Sequence, residues 1–299
     1  MNTERQDVYT RITNKIVADL EQGVRTWMRP WNAGNTAGRI TRPLRHNRQA
    51  YSGINVLMLW AGAVEQGFTA PTWMTFQQAL ELKAHVRKGE KGSLVIYTNT
   101  VTRTEASDNN EETERAIRFL KYYTVFNAAQ IDGLPESYYR LPEATLTPIA
   151  RIAHAEQFFA ATQAEIRYGG NRAFYAVEPD YIQMPSIDAF RDAESFYATL
   201  SHECAHWSKH PSRLARDFGR KTWGDEGYAQ EELVAELTAA FLCADLELTP
   251  EVRDDHAAYL ASWITALKND KRMIFTAAAH AQRAADFLHA LQSPKTEAA

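Results

Sequence analysis

The sequence predicts an α+β fold in two domains, the first of mixed helices and strands and the second mostly helical. At 299 residues the chain is long enough for two domains of ordinary size. Residues 131–148 hold one glycine and three prolines between two regions of periodic hydrophobicity, which is typical of a linker. The charge also changes, since the first 135 residues carry 17 basic and 13 acidic side chains and the remainder carry 16 and 24. We therefore predict domains at 1–135 and 148–299, joined by a linker at 136–147.

The composition is typical of a globular protein outside the membrane. Hydrophobic residues make up 45% of the chain and aromatic residues 11%, which is enough for two sizeable cores. The longest nearly apolar run, residues 56–64, is far shorter than the roughly 20 residues of a membrane span. The charged N-terminal segment lacks the apolar region of a secretory signal. Because Cys204 and Cys243 form neither a C-x-x-C pair nor a disulfide framework, we expect a cytoplasmic protein with no membrane partner.

The first domain is predicted to begin with an amphipathic helix and to end in a pair of strands. Apolar side chains recur at Val8, Ile12, Ile16 and Leu20, one stripe of a helix that Gly23 would end. Segments rich in β-branched and aromatic residues follow later and predict strands. The further predicted elements are helices at 54–65 and 75–82 and antiparallel strands at 93–102 and 116–127.

A basic and aromatic region of the first domain predicts binding of single-stranded nucleic acid. Residues 22–64 contain no acidic side chain, and a second basic cluster, HVRKGEKGS, lies at 85–93. Single strands require cations along their phosphates and flat rings for their unstacked bases. The predicted contacts are Arg25, Trp27, Arg29, Trp31, Arg39, Arg42, Arg45, Arg48, Arg87, Lys88 and Lys91. The alternatives are that the tryptophans lie in the core and that 85–93 is a turn whose lysines face water.

The second domain contains the pattern H-E-x-x-H within TLSHECAHWSKH, residues 199–210. Residues four apart lie one turn above each other on a helix, so His202 and His206 can both reach one metal ion. Glu203, next to the first ligand, can take a proton from metal-bound water. Cys204 belongs to the apolar stripe of the same helix and is expected to be a buried hydrophobe. Because this pattern arises by chance in on the order of a few per cent of such chains, a third ligand is needed.

A helix predicted at 228–248 supplies that third ligand. Glu232 and Glu236 lie four residues apart beside its apolar face. In gluzincin-type enzymes the third ligand is a glutamate on a following helix, and an acid one turn on often orients a ligand histidine. We assign Glu232 to the metal and Glu236 to the orientation of a histidine. Glu231 is the alternative ligand if the first turn is rotated by one residue.

Segments spread over nearly the whole chain resemble the ArdC-type antirestriction proteins of conjugative plasmids, whose N-terminal domain is similar to that of plasmid TraC-type primases. These segments are YSGINVLML at 51–59 and the stretches 73–97, 121–135, 171–190, 196–219 and 228–243. The resemblance implies a single-stranded-DNA-binding domain joined to a zincin-like metallopeptidase domain. It also implies protection of incoming plasmid DNA from host restriction. The implied partners are single-stranded DNA and an unidentified host protein, for example one of the restriction system.

The expected mechanism is peptide hydrolysis at a zinc ion, or another divalent metal such as manganese, held by His202, His206 and Glu232. Glu203 would transfer a proton from the attacking water to the leaving amine. The segment DYIQMPSIDAF, residues 180–190, is predicted to supply an edge strand for an extended substrate. Two alternatives remain open, a non-enzymatic DNA-coating protein with a structural metal site and an accessory factor of plasmid replication.

Overall fold

The computed structural model describes residues 7–24, 27, 40–106, 112–140, 148–219, 225–250 and 256–292. The helices are α1 (Val8–Glu21), α2 (Ile54–Gln66), α3 (Phe76–Glu81), α4 (Pro148–Ala161), α5 (Ala193–Trp207), α6 (Glu226–Asp245), α7 (His256–Asn269) and α8 (Met273–Ala290). The strands are β1 (Leu44–Arg45), β2 (Thr72–Met74), β3 (His85–Val86), β4 (Ser93–Ala106), β5 (Glu112–Asn127), β6 (Ile131–Asp132), β7 (Glu165–Tyr168), β8 (Phe174–Ala176) and β9 (Tyr181–Met184). Helices and strands are mixed in two units, so the fold is α+β as predicted. In the part of the chain that the structure describes, no helix is long and apolar enough to cross a membrane.

The chain divides into a helical unit and a sheet unit that alternate along the sequence. The helical unit comprises residues 1–42, 52–67 and 142–299, and the sheet unit comprises 43–51 and 68–141. This division differs from the predicted one, because α1 and α2 belong with the C-terminal helices. The apolar faces of α1 and α2 are buried by packing against α7 and α8.

Helix α1 buries three side chains of the predicted apolar stripe within the helical unit, and the side chain of the fourth, Val8, lies outside the described residues. Ile12, Ile16 and Leu20 are at most 6% exposed, and α1 packs against α7. Asp7 begins the helix by accepting a hydrogen bond from the backbone N–H of Thr10, which satisfies one of the donors left over at a helix start. Helix α2 matches its prediction to within a residue and is buried over most of its length, which a helix with one solvated face would not be.

The sheet unit is built on the predicted antiparallel pair. Strands β4 and β5 pair in register from Ser93 opposite Val125 to Ala106 opposite Glu112, so the ribbon is longer than predicted. The strand order is β1-β2-β5-β4, and β3 pairs with β6 separately. Residues 136–140 of the predicted linker pack on this unit, where the Tyr139 hydroxyl donates to the carbonyl of Ile131.

The helical unit also contains a sheet of three strands beside α5. Its order is β7-β9-β8, and α5 contacts β8 and β9. Strand β9 comes from the segment predicted as a sheet edge, and that prediction is wrong because β9 pairs on both sides. Ile182 and Met184 of β9 are fully buried, which a central strand packed on a helix explains. The edge strand that contacts α5 is β8.

Candidate metal centre

Helix α5 places the two histidines of the H-E-x-x-H pattern on one face inside the helical unit. Asp192 begins the helix by accepting a hydrogen bond of 2.7 Å from the backbone N–H of Ser195. Every residue from 195 to 207 is buried, so the imidazoles are shielded from bulk water. The Nε2 atoms of His202 and His206 lie 3.1 Å apart. Two rings one turn apart thus present nitrogen atoms to a common point.

Glu232 on α6 brings a carboxylate to the same point. Its Oε2 lies 3.5 Å from Nε2 of His202, and its Oε1 lies 3.5 Å from Nε2 of His206. Three ligands at about 2.0–2.1 Å from one ion in tetrahedral geometry lie about 3.4 Å from one another. The observed spacing therefore fits a small divalent cation. Among the described residues, His202, His206 and Glu232 form the group that could hold a metal ion.

A second carboxylate faces the outer nitrogen of each imidazole. Oε1 of Glu236 lies 3.2 Å from Nδ1 of His202, in the orienting position predicted for it. Oε1 of Glu231 lies 2.9 Å from Nδ1 of His206. Sequence reasoning weighed Glu231 only as a rival ligand and missed this contact. Such carboxylates fix the tautomer and the orientation of a ligand imidazole.

Arg216 holds Glu231 in place. Its Nε donates to Oε2 of Glu231 at 2.8 Å and its Nη2 donates to Oε1 at 2.9 Å. Burial raises the pKa of Glu231, but the hydrogen bonds from His206 and Arg216 outweigh it and bring the pKa to about 2. Burial likewise raises the pKa of Glu232, and its contacts with His206 and His202 lower it well below its usual range. Both carboxylates are therefore ionised at neutral pH.

Glu203 lies one residue after His202 and is 3% exposed. A carboxylate next to the first ligand of an H-E-x-x-H helix is in the position of a general base. Cys204 faces the core as expected, and burial raises the pKa of its thiol, which disfavours the thiolate that binds metals. The thiol of Cys243 is fully buried in the same way.

A polar cluster fastens the β8–β9 hairpin to the end of α5. Arg213 pairs with Asp180, donates from Nε to the carbonyl of Trp207 at 2.7 Å and stacks on the Trp207 ring at 3.9 Å. The Tyr175 hydroxyl of β8 donates to Asp180 at 2.8 Å. Burial, followed by this contact with Asp180, raises the pKa of Tyr175, so the phenol stays protonated. The edge strand β8 is thereby fixed next to the helix that carries the histidines.

Two of the predicted DNA contacts have structural roles instead. Trp27 is 1% exposed and packs edge-on against Trp263 at 6.4 Å, so its ring cannot stack on a base. Arg42 is 8% exposed and donates from Nε and Nη2 to both carboxylate oxygens of Asp245 at 2.8 and 2.7 Å. Its guanidinium is therefore committed within the helical unit, and the prediction is corrected for both residues.

The other predicted contacts divide by position. Arg25, Arg29, Trp31 and Arg39 lie outside the described residues. Arg45, Arg48, Arg87, Lys88 and Lys91 are all exposed on the sheet unit. Of these, Arg87 pairs with Glu90 and Asp132, while Arg45 and Arg48 stack on tyrosine rings. The structure also exposes Tyr97, Tyr122 and Tyr123 on β4 and β5, which the prediction did not include.

Comparison with known proteins assigns both halves of the chain. Residues 6–126 match the N-terminal domain of anti-restriction factor ArdC, and residues 153–280 match a zincin-like metallopeptidase family, MPTase-PolyVal. The crystal structure of the metal-free antirestriction ArdC protein from plasmid R388 is similar at a TM-score of 0.80 and 46% identity, covering 96% of this chain and 98% of that one. The chain belongs to the ArdC family of antirestriction proteins. The likeness extends to the Mn(II)-bound structure of R388 ArdC, with a TM-score of 0.79 and 44% identity over 97% of this chain and 100% of that one.

Other relatives of this ArdC-family chain differ in length. The uncharacterized protein y4eC of Sinorhizobium fredii (strain NBRC 101917 / NGR234) is 44% identical over 96% of this chain and 93% of its own. The DNA primase TraC of Escherichia coli is 36% identical over 98% of this chain but only 28% of TraC. This chain therefore matches a minor part of the primase.

Proposed function

We propose that this ArdC-family protein is a metal-dependent peptidase whose ion is held by His202, His206 and Glu232. The observation that carries the proposal is the 3.1–3.5 Å spacing of their ligand atoms, with an oriented imidazole at each histidine. When bound, a zinc or manganese ion polarises a carbonyl and makes water a stronger acid. The Mn(II)-bound R388 relative supports a divalent ion.

Glu203 is the general base in this proposal. Its carboxylate takes a proton from the water that attacks the peptide carbonyl and then delivers the proton to the leaving amine. The burial of the helix face excludes bulk water, which strengthens the electrostatic interactions of the carboxylate. Neither histidine is available for this role, because both outer nitrogens face carboxylates.

The peptide substrate is proposed to bind in an extended form along β8. An edge strand offers unpaired backbone N–H and C=O groups on one side, and an extended segment can complete them. Strand β8 contacts α5 and is fixed to its end by Tyr175, Asp180 and Arg213. This arrangement replaces the segment predicted at 180–190 as the edge.

Metal analysis tests the peptidase proposal. Wild-type protein dialysed against Zn(II) or Mn(II) should retain one ion per chain by mass spectrometry, and His202→Ala should retain none. The exposed His154→Ala is the matched control and should behave as wild type. A wild-type protein that holds no ion above the level of His202→Ala would refute the proposed metal centre.

We propose in addition that the sheet unit binds single-stranded DNA. Support comes from the exposed cations Arg45, Arg48, Lys88 and Lys91 together with the exposed tyrosines of β4 and β5. Phosphates and unstacked bases require this combination of charges and rings. Binding of the incoming strand, together with cleavage of a host protein, would protect plasmid DNA from restriction. The alternative is a DNA-coating protein whose metal is structural.

The salt dependence of binding tests the DNA proposal. Each phosphate contact contributes about −0.7 to the slope of log K against log salt for single strands. Lys88→Gln combined with Lys91→Gln should therefore reduce the magnitude of the slope by about 1.4, measured by fluorescence anisotropy with a labelled oligonucleotide. Arg140→Gln, an exposed cation of the same unit, is the control. Identical slopes in the double variant and the wild type would show that these lysines do not contact phosphates.

A further inference from the structure

We propose that Arg216 is a positioning residue of the metal centre, which fixes Glu231 against His206 and so sets the metal affinity of that imidazole. The inference rests on the proposed metal site, and it concerns a residue outside both metal-binding helices. Arg216 lies in the segment that follows α5, and its side chain is 1% exposed. Burying a guanidinium costs free energy unless its charge is paired and its N–H groups are hydrogen-bonded.

The hydrogen bonds of Arg216 connect both helices of the site. Its Nε and Nη2 form a two-point contact with Glu231 of α6, and Nη2 also donates to the carbonyl of Ala205 at 2.8 Å. Its Nη1 donates to the Ser208 hydroxyl at 3.2 Å. Ala205 and Ser208 lie on either side of His206 in the sequence, at the end of α5. A single planar group thus ties the carboxylate to the backbone around the imidazole that it orients.

Both carboxylate oxygens of Glu231 accept a hydrogen bond from Arg216. Oε1 receives both Nη2 of Arg216 and Nδ1 of His206, each at 2.9 Å, while Oε2 receives Nε of Arg216. A carboxylate paired with a guanidinium acts as an acceptor only, so Nδ1 of His206 carries the proton. The lone pair of Nε2 is then directed at the point shared with His202 and Glu232. Nζ of Lys209 also lies 3.6 Å from Oε1 of Glu231, whereas Arg216 donates to both carboxylate oxygens, at 2.8 and 2.9 Å.

The metal dissociation constant is the readout that separates positioning from simple stability. It is to be measured for Mn(II) and Zn(II) by competition with a chromogenic chelator, alongside urea unfolding of the metal-free protein. Outer partners of metal-binding histidines typically contribute 10–100-fold in affinity. We expect Arg216→Met and Glu231→Gln each to weaken binding by that order. We expect Arg216→Lys, which keeps the charge but loses the planar fork, to fall between Arg216→Met and the wild type.

A double variant tests whether Arg216 acts through Glu231. If it does, adding Arg216→Met to Glu231→Gln weakens metal binding no further than Glu231→Gln alone. The inference would be overturned if the loss of metal affinity in the double variant equalled the product of the losses in the two single variants. If Arg216→Met fails to fold, Arg216→Lys and its combination with Glu231→Gln provide the same comparison.

Arg213→Met is the matched control. Arg213 lies in the same segment and is 11% exposed, and its hydrogen bonds go to Asp180, Tyr175 and the carbonyl of Trp207. Its loss should lower the stability of the metal-free protein and leave the metal dissociation constant within about twofold of wild type. The inference fails if Arg216→Met and Glu231→Gln also leave that constant unchanged. A wild type that binds no metal would instead refute the proposed function on which the inference rests.

Discussion

At the scale of single residues, the candidate site is defined by what lies on each side of two imidazoles. The Nε2 atoms of His202 and His206 face Glu232, and their Nδ1 atoms face Glu236 and Glu231. Three carboxylates within one helical turn and a half of α6 therefore serve one pair of rings. In the proposed function, Glu203, one residue after His202 on α5, is the group that moves protons.

Replacing Glu203 by glutamine separates catalysis from metal binding. Glutamine has nearly the same shape but cannot accept a proton, so Glu203→Gln should keep its metal while cleavage of an unfolded protein substrate falls by about 10²–10⁴-fold. Cleavage is followed by gel electrophoresis and metal content by mass spectrometry. The control is Glu156→Gln, an exposed change on α4. Undiminished cleavage by Glu203→Gln would exclude Glu203 as the general base. Loss of the metal from this variant would indicate instead that Glu203 takes part in metal binding.

The candidate ligands could be predicted from the sequence more completely than the side chains that orient them. The four-residue spacing of His202 and His206 requires only one helix, so the pattern was sufficient to place both rings. Glu231 and Glu232 are adjacent, and their separate roles depend on the rotation of α6 against α5, which no periodicity fixes to within one residue. Arg216 could not be predicted, because its contact with Glu231 depends on the path of an irregular segment.

At the scale of elements, the candidate metal centre depends on the close pairing of α5 and α6. Ala235 and Ala240 of α6 are buried, and small side chains let two helices approach closely. The hydrophobic periods that predict α1 and α6 reflect the burial of one face of each helix within the helical unit. Strand order escaped prediction, because β9 carries an alternating pattern that suits either an edge or a central strand. Only its pairing with β7 and β8 decides the question.

The end of α6 is fixed by an ion pair that should fail in acid. Burial raises the pKa of Asp245, but His289 and Arg42 lower it below its ordinary value of 3.8. A carboxylate whose pKa is lower in the folded state stabilises that state at a pH above its unfolded-state pKa. This stabilisation is lost as the pH falls through the folded-state pKa. Asp245→Asn leaves Arg42 without its charged partner, so we expect a loss of about 3 kcal/mol in the free energy of unfolding at pH 7.

Urea unfolding at several pH values measures this contribution. The difference between wild type and Asp245→Asn should shrink as the pH falls below about 4. Asp286→Asn is the control, since Asp286 is exposed on α8 and accepts a hydrogen bond from Gln282. A difference that stays constant down to pH 3 would show that the ion pair does not provide the stabilisation.

At the scale of the whole molecule, the helical unit is assembled from three stretches of chain. Residues 1–42 and 52–67 join 142–299, while the sheet unit uses 43–51 and 68–141. A boundary drawn from composition alone at residues 136–147 could find where the sheet unit ends. It could not show that α1 and α2 pack with helices far away in sequence, because an apolar helix face does not reveal its partner.

Fragments test this interleaved assembly. A fragment of residues 1–135 keeps α1 and α2 without their helical partners, so it should bind the dye ANS and show weak near-ultraviolet circular dichroism. In a second fragment, a short Gly/Ser linker replaces 52–67 between 43–51 and 68–141. This fragment should bind little ANS and keep its near-ultraviolet circular dichroism. The division into units would be contradicted if the second fragment bound more ANS and showed weaker near-ultraviolet circular dichroism than the first.

The interleaving also orders events on the ribosome. The nascent chain delivers α1 and α2 first, but the α6, α7 and α8 surfaces that cover them emerge more than 150 residues later. At about 5–20 residues per second, these two apolar helices wait on the order of ten seconds or more for their partners. During that interval their apolar faces are exposed to holding chaperones, which bind such surfaces on unfinished chains.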